Sequence, residues 1–163
     1  MRDVEIKIIP EHVAYTAEYK VNDYNDFYNE ETGANLLADL EELMHSENPD
    51  VLVPEIPDDY NYFEHDAGQP VTSPMHIRYY DMVNKAGKDT DKYKFVTVPE
   101  VKAATMMHEG PFETVGETYE ALYRWIVETG YFVNGPGRSS CIHGPWDRDN
   151  RNEYLIEVQI PIK

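Results

Sequence analysis

Glu157 is the residue with the most chemistry available to it. It stands in the run Glu153-Tyr154-Leu155-Ile156-Glu157-Val158-Gln159-Ile160-Pro161, which contains no basic residue. Side chains of a strand alternate between faces, so Tyr154, Ile156, Val158 and Ile160 form one apolar row and Glu157 points the other way with Leu155 and Gln159. A carboxylate on a concave sheet face is costly to desolvate unless a cation compensates it. A solvated edge charge is the plainer alternative. Facing an organic cation, such a carboxylate is a binding group. Held beside a water and a strained electrophile it is a general base, because desolvation favours the protonated form. Tyr15, Tyr19, Tyr79, Phe95 and the loop residue Trp146 are the candidate aromatic walls of such a site. Ordinary core or surface packing is the competing role for each. Tyr79, Tyr15 and His76 are the candidates for a second polar group in an acid–base pair, and none completes a clear one.

Other reactive residues point to no metal or cofactor. His12, His45, His65, His76, His108 and His143 show no ligand spacing of the His-x-x-x-His kind, so no structural zinc is expected. His108, at a strand end before Gly110, suits a turn or capping role. Cys141 has no sequence partner that makes it a nucleophile and reads as a buried small residue. Asp147, Asp149 and Asn150 lack the glycine and closing glutamate of a calcium loop and read as a solvated turn. No glycine-rich phosphate loop is present.

The elements that must position these residues alternate between strand and helix patterns. Residues 4–9 predict a strand ended by Pro10, and His12 to Tyr19 a second strand with Val13, Tyr15, Ala17 and Tyr19 on one face. A helix is predicted from about Asp26 to Met44, with Leu36, Leu37, Leu40, Leu43 and Met44 inward and Asp39, Glu41 and Glu42 toward water. Residues 46–70, rich in proline and acids, predict an irregular insertion with short extended pieces at Val51–Val53 and Tyr60–Phe63. Strands are predicted at Met75–Asp81 and Tyr93–Val98.

From Pro99 the pattern restarts: Val-Pro-Glu-Val-Lys-Ala-Ala-Thr (98–105) echoes Ile-Pro-Glu-His-Val-Ala-Tyr-Thr (9–16). A strand to His108, a helix over 114–129 opened by a Thr114/Glu117 capping box and closed by Gly130, and strands at Arg138–His143 and Glu153–Pro161 follow. Gly130 to Pro136 aligns on Gly68 to Pro74, and the Glu157 strand aligns on Tyr93–Val98, which sets Glu157 opposite Phe95. The fold class expected is α+β: tandem β-α-β-β repeats forming an antiparallel sheet, two main helices on one side and a central cleft on the other. Repeat one spans about 10–98 and repeat two about 99–161, within one domain over 1–163.

The whole chain bounds the partners. Its 163 residues suit one domain with a proper core. Lys and Arg number 14 against 31 Asp and Glu, a net charge of −17, which disfavours direct nucleic-acid or anionic-membrane binding and favours cations or a basic protein partner. One cysteine excludes an internal disulfide framework, and the N-terminus has no signal-peptide core. A cytoplasmic protein is expected.

Val98-Pro99-Glu100 with Ala103, His108-Glu109-Gly110-Pro111-Phe112, Tyr119, Leu122 and Trp125, Gly130-Tyr131 with Gly135-Pro136, and Tyr154 to Pro161 together resemble the GyrI-like small-molecule-binding domain. That domain is also the effector-binding module of multidrug-sensing MerR- and AraC-type regulators. The resemblance implies a cleft for aromatic or lipophilic, often cationic molecules, with a last-strand glutamate matched by Glu157 as its buried negative pole. The function it implies is that of a stand-alone small-molecule-binding protein, a drug- or toxin-sensing or sequestering module linked to transcription regulation. Family members that bind DNA gyrase or hydrolyse strained cyclopropane-containing toxins supply two other readings. These residues hold no helix-turn-helix, so transcriptional control is expected from elsewhere.

Overall fold

Prolines, which lack an N–H for the ladder, punctuate the strands at two corners. Pro10-Glu11 separates Glu5–Ile9 (β1) from His12–Val21 (β2). The structure, a computed structural model, describes residues 3–29, 34–54, 61–66, 71 and 74–163. After β2 come the two-residue strands Tyr28–Asn29 (β3) and Ala34–Asn35 (β4), helix Leu36–Glu47 (α1), Asn61–His65 (β5) and Met75–Val83 (β6). Lys94–Val98 (β7) and Val101–Glu109 (β8) flank the Pro99-Glu100 corner, followed by helix Val115–Glu128 (α2), Arg138–His143 (β9) and Leu155–Pro161 (β10).

Eight strands make one antiparallel sheet in the order β1-β8-β10-β9-β5-β6-β2-β7, and β3 pairs with β4 apart from it. The strand before each Pro-Glu corner pairs with the strand after the other corner: β1 with β8, and β7 with β2. The order therefore reads alike from either edge, about an axis at the β9–β5 pair Ser139/Phe63. Across that axis β10 corresponds to β6, not to β7. Glu157 consequently corresponds to Arg78 and not to Phe95: Val158 pairs with Ser139 and Tyr79 with Phe63, and Glu157 and Arg78 precede them.

Both helices cover one side. On α2, Val115, Tyr119, Leu122 and Ile126 follow helical spacing and pack on the face of Ala104, Ile156, Val158 and Ile160. Each such aliphatic burial contributes about 1.5–3 kcal/mol. On α1, Leu37 shares a cavity with Phe63 and Tyr79, which puts this helix over the same face. The α+β class, the antiparallel sheet and its paired helices are as the sequence leads one to expect.

Local boundaries differ at two points. The expected helix start near Asp26 is occupied by a 3-10 turn over Tyr24–Phe27 and by β3. The helix begins at Leu36, where the Asn35 side chain accepts from the Leu37 and Ala38 N–H groups at 3.0 and 3.1 Å. Thr114 makes no capping bond to α2; its hydroxyl donates to the Pro111 carbonyl at 2.9 Å. Gly130 closes α2 as expected, at φ 84°, with Gly130 N bonded to Val127 O and Tyr131 N to Ile126 O, the paired bonds of a Schellman end. Parts of the expected helix (30–33) and of the 46–70 insertion (55–60 and 67–70), with most of the Gly68–Pro74 match, lie outside the described residues.

Candidate functional site

Because Ile156, Val158 and Ile160 are fully buried on the helix side, strand alternation turns Glu157 and Gln159 to the open face. The Glu157 side chain keeps 12% of its exposure there, while Lys7 on edge strand β1 keeps 41%. Lys7 Nζ donates to Glu157 Oε2 at 2.7 Å and Gln159 Nε2 to Oε1 at 2.8 Å. Met107 of β8 and Ser140 of β9 stand on either side of Glu157 in the ladder. No neighbouring residue in sequence offered this carboxylate a cation; β1 reaches it across β8.

Farther across the same face lies a second group. Tyr62 and Tyr80 stack with centroids 5.0 Å apart and planes 12° from parallel, and the Arg138 guanidinium sits 4.9 Å from the Tyr62 ring centre. His12 Nδ1 faces the Pro10 carbonyl at 2.9 Å and so carries the proton, leaving Nε2 to accept from the Tyr62 hydroxyl at 3.0 Å. Burial lowers the His12 pKa and raises that of Tyr62. Arg138 is only 5% exposed, yet its Nε and Nη1 have no hydrogen-bond partner among the described residues. Arg78, which the axis relates to Glu157, is held by Glu64 at 2.8 Å and Asp66 at 2.9 Å.

The other expected wall residues lie on the helix side. Tyr15 donates to Asp81 Oδ2 at 2.7 Å and meets Tyr79 and Phe95 edge-on, at 6.4 and 6.5 Å between centroids. Tyr19 packs edge-on against Phe27 at 5.0 Å. Tyr79 and Trp146 line one cavity there together with Tyr28, Phe63 and Glu41. The sheet thus separates Glu157 from Tyr15, Tyr19, Tyr79, Phe95 and Trp146. On β6 the sequence does contain the missed signal: Tyr79 shares its parity with Ile77 and Val83, the core parity, whereas Tyr80 shares that of Arg78 and His76. His76 is on the open face, between Asp66 at 3.1 Å and Glu18 at 3.3 Å.

The remaining candidates have structural partners. His108 Nε2 donates to the Pro111 carbonyl at 3.0 Å and Nδ1 accepts from Thr118 at 2.8 Å, which pins the turn before α2. Burial pushes the Cys141 thiol pKa up, so it is protonated at neutral pH. Asp147 accepts from Gly144 N–H at 3.0 Å and bonds His143 at 2.8 Å within its turn. Among the described residues no three His, Cys, Asp or Glu side chains converge as a metal site, and no helix is long and apolar enough to cross a membrane.

A sequence model of the GyrI-like small molecule binding domain matches residues 52–163. The crystal structure of the EcmrR C-terminal domain superposes with a TM-score of 0.85 at 23% identity, over 100% of this chain and 98% of that one. In the EcmrR–DNA complex the likeness is 0.84, and this chain spans 57% of the EcmrR chain. A hydrolase from Listeria innocua superposes at 0.64 and 14% identity, over 99% of this chain and 92% of that one. SAV2435 bound to tetraphenylphosphonium superposes at 0.58 and 13% identity, over 99% and 94%. No curated protein sequence matches.

Proposed function

The chain belongs to the GyrI-like small-molecule-binding domain family, and from that premise we propose that it takes a lipophilic organic cation on the open face of the sheet, with Glu157 as the negative pole. The observation that carries this reading is the Glu157–Lys7 pair: a nearly buried carboxylate whose cationic partner comes from an exposed side chain. An ion pair with one exposed member is worth about 0–1 kcal/mol. A ligand cation that brings its own apolar surface displaces such a lysine at little cost. Met107, 39% exposed, flanks the carboxylate and offers apolar contact. Tyr80 lies three strands from β10, about 14 Å at the ordinary 4.8 Å strand spacing, a span that suits a ligand of several rings. The bonds of both Glu157 oxygens to Lys7 and Gln159 favour an electrostatic role over that of a base.

Ligand capture of this kind serves sensing or sequestration. In a regulatory setting the DNA contacts would come from a basic surface, which a charge of −17 does not supply. The likeness to SAV2435, whose structure holds tetraphenylphosphonium, makes that cation the natural probe. Calorimetric titration of tetraphenylphosphonium should show saturable binding that weakens at least tenfold in Glu157→Gln, with unchanged circular dichroism. Lys7→Met, which removes the internal competitor, should tighten it. Equal affinity in wild type and Glu157→Gln rejects the reading.

A further inference from the structure

We propose that edge strand β1 is a self-complementary interface, which pairs antiparallel with β1 of a second copy of this chain about a two-fold axis at Ile6. Among the described residues β1 borders β8 alone, at one end of the eight-stranded sheet. The Ile162 N–H donates to the Lys102 carbonyl at 2.9 Å, so the backbone groups of Lys102, and by alternation Ala104, turn toward β10. Those of Ala103 and Thr105 turn toward β1, where their partners are Lys7 and Glu5. Ile6 and Ile8 therefore hold their N–H and C=O groups away from β8, along the open edge.

Side chains sort by face in the same way. Lys7 bonds Glu157 on the open face, and Glu5 shares its parity. Val4, just before β1, lines a groove with Thr118, Ala121 and Trp125 of α2, which places Val4, Ile6 and Ile8 on the helix side. Ile6 is 42% and Ile8 59% exposed, an unusual pair of aliphatics to leave on an edge.

Register identifies the occupant. A two-fold axis normal to the sheet keeps each parity on its own face. With that axis at Ile6, Ile6 meets its own copy, Val4 meets Ile8, and Glu5 meets Lys7. The last two contacts each occur twice. Glu5 and Lys7 then fall at non-hydrogen-bonded positions, where facing side chains approach most closely. Moving the axis to Lys7 sets lysine against lysine, and moving it to Glu5 sets glutamate against glutamate, both of which are destabilising. Charge thus selects the one register that also matches aliphatic to aliphatic.

The interface reaches the Glu157 site through Lys7. That lysine now lies 2.7 Å from Glu157 and 3.9 Å from its own Glu5. Pairing brings Glu5 of the second copy opposite it and draws it off Glu157. Dimerisation and capture of a cation at Glu157 then promote each other, a reciprocal coupling that rests on the function proposed above.

Sedimentation equilibrium of the chain without added ligand, at ~0.15 M salt to screen the general repulsion between acidic copies, tests the interface. A contact this short predicts a reversible dimer, twice the 18.9 kDa chain mass, with a micromolar dissociation constant. Glu5→Lys and Lys7→Glu should each dimerise at least tenfold more weakly. Their equal mixture should recover dimers, because a heterodimer restores both opposite-charge pairs. Ile6→Lys, at a half-exposed side chain that circular dichroism should show folding normally, sets two lysines on the axis and should abolish dimers. The interface is overturned by a chain that stays monomeric at millimolar concentration, or by dimers that survive Ile6→Lys. Open assemblies beyond the dimer, which head-to-tail pairing of β1 with β7 would give, also overturn it. Saturating tetraphenylphosphonium should then lower the dimer dissociation constant at least threefold in wild type and leave it unchanged in Lys7→Met. A cation that binds without this shift overturns the coupling; one that does not bind overturns the Glu157 reading and leaves the interface standing.

Discussion

His65 shows how much a single side chain depends on distant partners. It is buried, and burial with the Arg78 charge lowers its pKa to about 4, against a smaller opposing effect of Asp66. Tyr24 donates to Ser139 Oγ at 2.8 Å, which leaves its oxygen to accept from His65 Nε2–H, and Tyr119 joins the same serine at 2.7 Å. A histidine whose folded pKa is depressed takes up its proton more readily in the unfolded chain. Its neutral form therefore supports the fold above about pH 6.5, and that support is lost as pH falls toward 4. At most about 3 kcal/mol is involved. Thermal melts between pH 7 and 4 should show falling stability, and His65→Gln should flatten the dependence. Tyr24→Phe should cost about 1–3 kcal/mol in urea unfolding, since it strips partners from buried polar groups. None of this was legible locally: Tyr24 and His65 are 41 residues apart.

At the scale of elements, α2 was readable because periodicity and the Gly130 end agree, and tertiary packing moved its bounds by a residue only. The start of α1 was not, because Tyr24 and Phe27 serve the tertiary core from a 3-10 turn instead of a helix face. Gly116 illustrates the same override. Helix propensity favours alanine over glycine by about 1 kcal/mol. A Cβ there would lie 2.5 Å from the Val71 carbonyl oxygen, a backbone atom that cannot swing aside. Gly116→Ala should therefore destabilise by about 1–3 kcal/mol, the usual range for overpacking. A raised urea midpoint would show that propensity wins and the contact yields.

For the whole molecule, 31 acidic against 14 basic residues make self-repulsion a general term opposing the compact state. Raising salt from 0.01 to 0.1 M shortens the screening length from roughly 30 to 10 Å. The melting temperature should rise over that interval. A flat or falling value would mean that pairs such as Arg78 with Glu64 and Asp66 offset the net repulsion. The same excess charge leaves the protein in a field that favours cations over anions, which fits the site proposed at Glu157.

Residue types and spacing alone settled the alternation of each strand, the face of β10 that carries Glu157, the closing of α2 at Gly130 and the kinship of the second half. These are local properties, fixed by the two-residue period of strands and the 3.6-residue period of helices. Only the tertiary structure decided which parity of one strand shares a face with which parity of the next. That choice rests on hydrogen-bond register across the sheet, on the exchange of β1 and β7 and on the crossovers that bring both helices to one side. It set Glu157 beside Lys7, put Tyr62, Tyr80 and Arg138 on its face, and put Tyr79 and Trp146 along one cavity on the other. A slip of one residue in register turns every side chain of a strand to the opposite face, so no reading of single strands could have assembled these groupings.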